Sequence, residues 1–172
     1  MKLVDADYPR NGLAQEGWCR LTPARIESGG GWCAYVLEFD CTERTKGYFL
    51  DTGLTDLDID EIEFGDVVIK CIGGYVYLIS ESGIAVLPSN ALGYTQMVVS
   101  EDALAFSNFL ELLVIHFDGV VRHAYSIVVD NLEIVSLENS EIRLTGMLTP
   151  GGDDERWSLD LEDIPVVKVA FL

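Results

Sequence analysis

The chain has 172 residues, 49% of them apolar and 10% aromatic, which is enough apolar surface for it to fold alone. Twenty-nine Asp and Glu against eleven Lys and Arg leave a net charge of −18. That balance excludes a nucleic-acid binder, which must bring cations to phosphates, and a protein that settles on an anionic membrane. It serves solubility, and it makes a basic protein the complementary partner.

The N-terminus, Met1-Lys2-Leu3-Val4-Asp5-Ala6-Asp7, reaches its acids without an apolar signal region. No apolar run approaches the roughly 20 residues of a membrane helix, so a cytoplasmic location is expected. Gly17-Trp18-Cys19 and Gly31-Trp32-Cys33 bracket the exposed Gly/Ser loop Glu27–Gly31. Their tryptophans read as core or rim of a first sheet. Trp32 to Cys41 alternates, with Cys33, Tyr35, Leu37, Phe39 and Cys41 on one face and Glu38 and Asp40 on the other. Tyr48–Asp51 answers it across Thr42–Gly47. Eight extended residues put Cys33 roughly 27 Å from Cys41, too far for a disulfide. Cys19 and Cys71 complete the set, and no C-x-x-C pair or nearby His suggests zinc. Four reduced thiols, and no bound metal or cofactor, are the expectation.

Phe49-Leu50-Asp51-Thr52-Gly53 has the form of an aspartic-protease active-site loop. That chemistry needs two aspartates sharing a proton, and one copy here would require a homodimer with Asp51 on its axis. Leu54 follows where the pattern has a small Ala or Ser, and a strand-ending turn accounts for Asp and Gly equally well. Next, Asp56, Asp58, Asp60, Glu61, Glu63 and Asp66 crowd into eleven residues. Asp56-x-Asp58-x-Asp60 copies the start of an EF-hand. Glu61 then replaces the turn glycine, and Val67 replaces the bidentate Glu, so the calcium loop fails. Leu57 and Ile59 alternate with the acids, as in a charged edge strand, and the six carboxylates are the candidate binding edge for a basic partner.

Val67–Ile72 and Tyr75–Ile79 flank Gly73-Gly74, a tight hairpin connection, and Ser80–Gly83 turns the chain into Ile84–Leu87. Ser100 before Glu101–Asn108 reads as the N-cap of one short helix. Leu110–Phe117, Asp118-Gly119 and Val120–Val129 form the strongest hairpin signal. Its two faces are both largely apolar, which places it centrally in a sheet. With Asp118-Gly119 as a two-residue turn, Phe117 opposes Val120 and His116 opposes Val121. His116 and His123, the only histidines, then lie on one face as diagonal neighbours, with no third ligand for a metal. Strands at Leu132–Leu137, Ile142–Leu148, Trp157–Leu161 and Val166–Phe171 complete the chain, with Pro150–Glu155 an exposed acidic loop.

Segments near 57–87 and 130–161 match at an offset of 73, from Ile59-Asp60 against Leu132-Glu133 to Gly73 against Gly146, a weak internal duplication. Leu112–Phe117, Asp118-Gly119, Asp130-Asn131-Leu132-Glu133-Ile134, Ile142 with Gly146, and Gly151-Gly152-Asp153 with Trp157-Ser158-Leu159-Asp160-Leu161 resemble a group of small bacterial all-β proteins. Gly73-Gly74-Tyr75-Val76-Tyr77-Leu78 is similar to their middle segment. The resemblance implies the fold and brings no activity.

These readings give a single all-β domain over residues 1–172, an antiparallel β-sandwich or pair of bent sheets with about ten to thirteen strands. No G-x-S-x-G or comparable nucleophile frame exists. The function expected is that of a non-catalytic acidic protein-binding protein, such as an immunity protein that neutralises a basic toxin. A self-associating structural or accessory module is the alternative, and a dimeric peptidase built on Asp51 a minor one.

Overall fold

The computed structural model describes residues 2–5, 18–20, 34–38 and 46–50 as backbone, and residues 57, 59–80, 83–89 and 93–171. The backbone strands are β1 (Lys2–Asp5), β2 (Trp18–Arg20), β3 (Ala34–Glu38) and β4 (Lys46–Leu50). They form a sheet in the order β1-β3-β4-β2, with the β3–β4 pairing antiparallel, as the alternation predicts, and β2 parallel to β4. Contacts divide the chain into two compact units, residues 1–87 with 171–172, and residues 88–170.

The first unit continues with β5 (Ile59–Phe64), β6 (Val67–Ile72), β7 (Tyr75–Ser80) and β8 (Gly83–Val86), a meander of antiparallel neighbours. Gly73 and Gly74 have φ of +54° and +79°, the left-handed pair that closes a two-residue hairpin with the twist of its strands. Tyr75, Val76, Tyr77, Leu78 and Ile79 are all buried, so β7 is covered on both faces.

In the second unit, β9 (Gln96–Val99), β10 (Ala103–Ser107), β11 (Glu111–His116) and β12 (Val121–Tyr125) form one sheet in the order β12-β11-β10-β9. The second sheet is the meander β13 (Asp130–Glu138), β14 (Glu141–Met147) and β15 (Asp154–Asp160), followed by a 3-10 turn at Leu161–Asp163. Ala103, Ala105, Leu112 and Val114 from one sheet share a core with Leu132, Ile134, Leu137, Ile142 and Leu144 from the other. This is sandwich packing, and each large aliphatic side chain so buried stabilises by about 1.5 to 3 kcal/mol. Eleven strands, β5 to β15, thus form three antiparallel sheets and the chain is all-β.

Four local expectations change. Glu101–Asn108 is not a helix, because Ala103, Leu104, Ala105 and Phe106 are fully buried as strand β10. Ser100 still caps: its Oγ accepts from the Ala103 and Asp102 N–H groups, but it closes the β9–β10 turn. The strand expected over Val120–Val129 stops at Tyr125, where Ser126 turns left-handed at φ +56°. Within the hairpin only β11 is interior to its sheet, and β12 ends it. Val166–Phe171 makes only an isolated bridge, Val166 to Arg122.

Candidate functional site

Asp60, Glu61 and Glu63 of the acidic segment fall on β5, which among the described residues is the terminal strand of its sheet and pairs with β6 alone. Ile62 pairs with the fully buried Ile69, and Phe64 with Val67, whereas Glu63 between them is exposed. Alternation over residues 62–64 therefore sets Ile62 and Phe64 on one face and the exposed Glu63 on the other. Asp66, in the β5–β6 turn, is also exposed. Asp60 and Glu61 lie on the β5 backbone, next to a register shift between Ile59 and Ile62. Asp56 and Asp58 lie outside the described residues, as do the Asp51-Thr52-Gly53 loop, Cys33 and Cys41. Cys71 is buried, and its thiol donates to the Leu57 carbonyl at 3.4 Å.

The two histidines do not share a face of the hairpin. The β11–β12 register pairs Ile115 with Val121 and Leu113 with His123, and the His116 N–H bonds the Val120 carbonyl at 2.8 Å. The connection is a three-residue loop, Phe117-Asp118-Gly119. Asp118 Oδ1 accepts from the Val120 N–H, and Gly119 takes φ +91°. One residue of slip sends alternate side chains to opposite faces. His116 consequently joins Leu112 and Val114 on the side of the shared core, opposite Ala103, while His123 lies on the other face opposite Leu113. The two imidazoles cannot share a ligand.

Instead, His123 meets a group that the sequence did not single out. Its Nε2 lies 3.9 Å from Glu111 Oε1, and the Glu111 side chain is only 4% exposed. Asn108, fully buried, holds that carboxylate. Its Nδ2 donates to Glu111 Oε2 and to the Gly93 carbonyl, both at 3.0 Å, and its Oδ1 accepts from the Leu110 and Glu111 N–H groups. The Asn108 side chain thus completes the β10–β11 turn as an Asx turn and orients the acid at the same time. Burial lowers the His123 pKa below 6.5, and the Glu111 charge opposes that shift in part. The signal in sequence is Asn three residues before a Glu across a turn, which is legible only once the hairpin register is known. A carboxylate fixed by an amide and set beside a neutral imidazole is an arrangement that holds a turn.

At the other end of β12, Arg122 donates through Nη1 to the Glu162 and Ile164 carbonyls at 3.1 and 2.8 Å. His123 N–H to Pro165 O and Val167 N–H to Val121 O, both 2.9 Å, lay residues 165–167 along the open side of β12. Among the described residues no cluster of three His, Cys, Asp or Glu is placed to hold a metal ion, and no helix is long and apolar enough to cross a membrane.

The fold defines an all-β protein of antiparallel sheets. Comparison with protein families, with curated proteins and with solved structures finds no match.

Proposed function

We propose that this chain is a non-catalytic acidic protein that binds a basic protein partner through the β5 edge, as an immunity protein covers a basic toxin in the cytoplasm. The observation that carries the reading is the position of β5. It ends its sheet, turns its apolar residues inward and its acid Glu63 outward, and continues into the exposed Asp66. Six carboxylates, Asp56, Asp58, Asp60, Glu61, Glu63 and Asp66, repel one another over eleven residues, and a Lys- or Arg-rich surface relieves that repulsion. Charges at an interface rim act mainly on association rate and its salt dependence.

The test is association with the purified product of the adjacent upstream gene, followed by surface plasmon resonance. Asp56→Asn, Asp58→Asn, Asp60→Asn and Glu63→Gln together should slow association and flatten its dependence on ionic strength. An association rate that is already insensitive to salt between roughly 50 and 500 mM, where screening lengths shrink several-fold, would reduce β5 to a solvated strand.

A further inference from the structure

The sheet edges of the second unit are closed in different ways, with one exception. Residues 165–167 cover β12. The β9 edge is four residues long, and its Gln96 side chain bonds the Ile134 backbone of β13 in both directions, at 2.9 and 2.7 Å. β13 itself is broken by two register shifts. β15 is different. Its seven residues pair with β14 without a shift, it contains no proline, and among the described residues no strand lies beyond it.

Which backbone groups point outward follows from the ladder. The Leu161 N–H bonds the Ser140 carbonyl at 2.7 Å, which makes Leu161–Ser140 a hydrogen-bonded pair in the register of β14 and β15. Hydrogen-bonded and non-bonded pairs alternate in an antiparallel ladder. Leu159, Trp157 and Glu155 therefore bond inward to β14, while Asp154, Arg156, Ser158 and Asp160 present N–H and C=O to the open side. All four of these residues are exposed. Trp157 and Leu159 are half-buried against the core, so the apolar layer stops at this edge with room to continue.

Charge then selects the occupant. Pairing β15 with β15 of a second copy about Trp157 sets Asp154 against Asp160 twice, and like charges directly opposite are destabilising. Residues 153–163 hold Asp153, Asp154, Glu155, Asp160, Glu162 and Asp163 against the single cation Arg156. Regular, unbulged edges are aggregation sites unless charge guards them, and a guard of net negative charge disfavours the protein's own copy and favours a basic strand.

We propose that β15 is a docking edge for an extended basic segment of another protein, added antiparallel as a further strand of the β13–β14–β15 sheet. The segment carries Lys or Arg opposite Asp160, Glu155 and Asp154, β-branched residues opposite Leu159 and Trp157, and an acid opposite Arg156. The proposal shares with the β5 reading only the sign of the partner's charge and stands without it.

The probe is the synthetic peptide Lys-Val-Thr-Ile-Glu-Lys-Lys, titrated into the isotope-labelled full chain and followed by amide NMR, with a scrambled isomer as control. Shifts concentrated at the Asp154, Arg156, Ser158 and Asp160 amides are expected. Ser158→Pro removes one outward donor and no β14 bond, so it should abolish binding while the Leu112 and Leu144 amides stay in place. Asp154→Lys with Glu155→Lys, which leaves the backbone intact, should weaken binding at least tenfold. Equal binding of the scrambled peptide, equal binding by Ser158→Pro, or no binding to the wild type would overturn the proposal. Shifts confined to β5 and lost in Asp60→Asn/Glu63→Gln would also overturn it, while leaving the β5 reading in force.

Discussion

Asn108 carries the largest stability effect expected of any single polar side chain in the second unit. Replacing it by Ala removes four hydrogen bonds in a fully buried turn and strands the Leu110 and Glu111 N–H groups, the Gly93 carbonyl and one side of the Glu111 carboxylate. A neutral hydrogen bond is worth about 1 kcal/mol net and one to a charged group about 1.5 to 3, so Asn108→Ala should cost about 3 to 5 kcal/mol after partial rescue by water. Asn108→Asp keeps the shape and both bonds accepted by Oδ1, but it places an oxygen where Nδ2 now donates to Glu111 at 3.0 Å. Two buried carboxylates that close cannot both ionise, so one has its pKa raised above its unfolded value. A raised carboxyl pKa stabilises the fold at low pH, and that contribution is lost as pH rises through the folded pKa. Relative to wild type, Asn108→Asp should therefore be less harmful at pH 5 than at pH 8. Urea denaturation at both pH values, combined with hydrogen exchange of the β10 and β11 amides, measures this. A cost below 1 kcal/mol for Asn108→Ala, or a pH-independent penalty for Asn108→Asp, would refute the role assigned to this turn.

Three further outcomes are expected. His123 is held below its unfolded pKa of 6.5 chiefly by burial, so the unfolded chain takes up its proton first. Stability from this group is complete above pH 6.5 and is lost as pH falls toward the folded value; His123→Leu should remove that slope in melts between pH 5 and 7.5. Gly146→Ala would put a Cβ 3.1 Å from the Asn131 carbonyl oxygen and 3.1 Å from Val128 Cγ1, costing about 1 to 3 kcal/mol by chemical denaturation. Alkylation of the denatured, unreduced chain should add four groups by mass spectrometry, for Cys19, Cys33, Cys41 and Cys71; two or none would reveal a disulfide.

The sequence by itself determined the all-β class and most of the meanders, because there the local signals agree. Gly73-Gly74 offers the left-handed turn its hairpin takes, and Val67–Ile72 is β6 to the residue. The acid and apolar alternation of residues 56–66 announces an edge strand, and among the described residues β5 (Ile59–Phe64) ends its sheet. Where a strand is buried on both faces, that signal vanishes. Ala103, Leu104, Ala105 and Phe106 show no alternation, and Ser100 performs the same side-chain capping for a turn as for a helix, so the segment read as helical. Register was the other quantity decided by tertiary structure. Asp118-Gly119 suits both a two-residue turn and the last two places of a three-residue loop, since each takes a glycine at positive φ with Asp tolerated before it. The longer loop sets Ala124 beside Leu112 on the side of the shared core, and that single residue separates His123 from His116 and delivers it to Glu111.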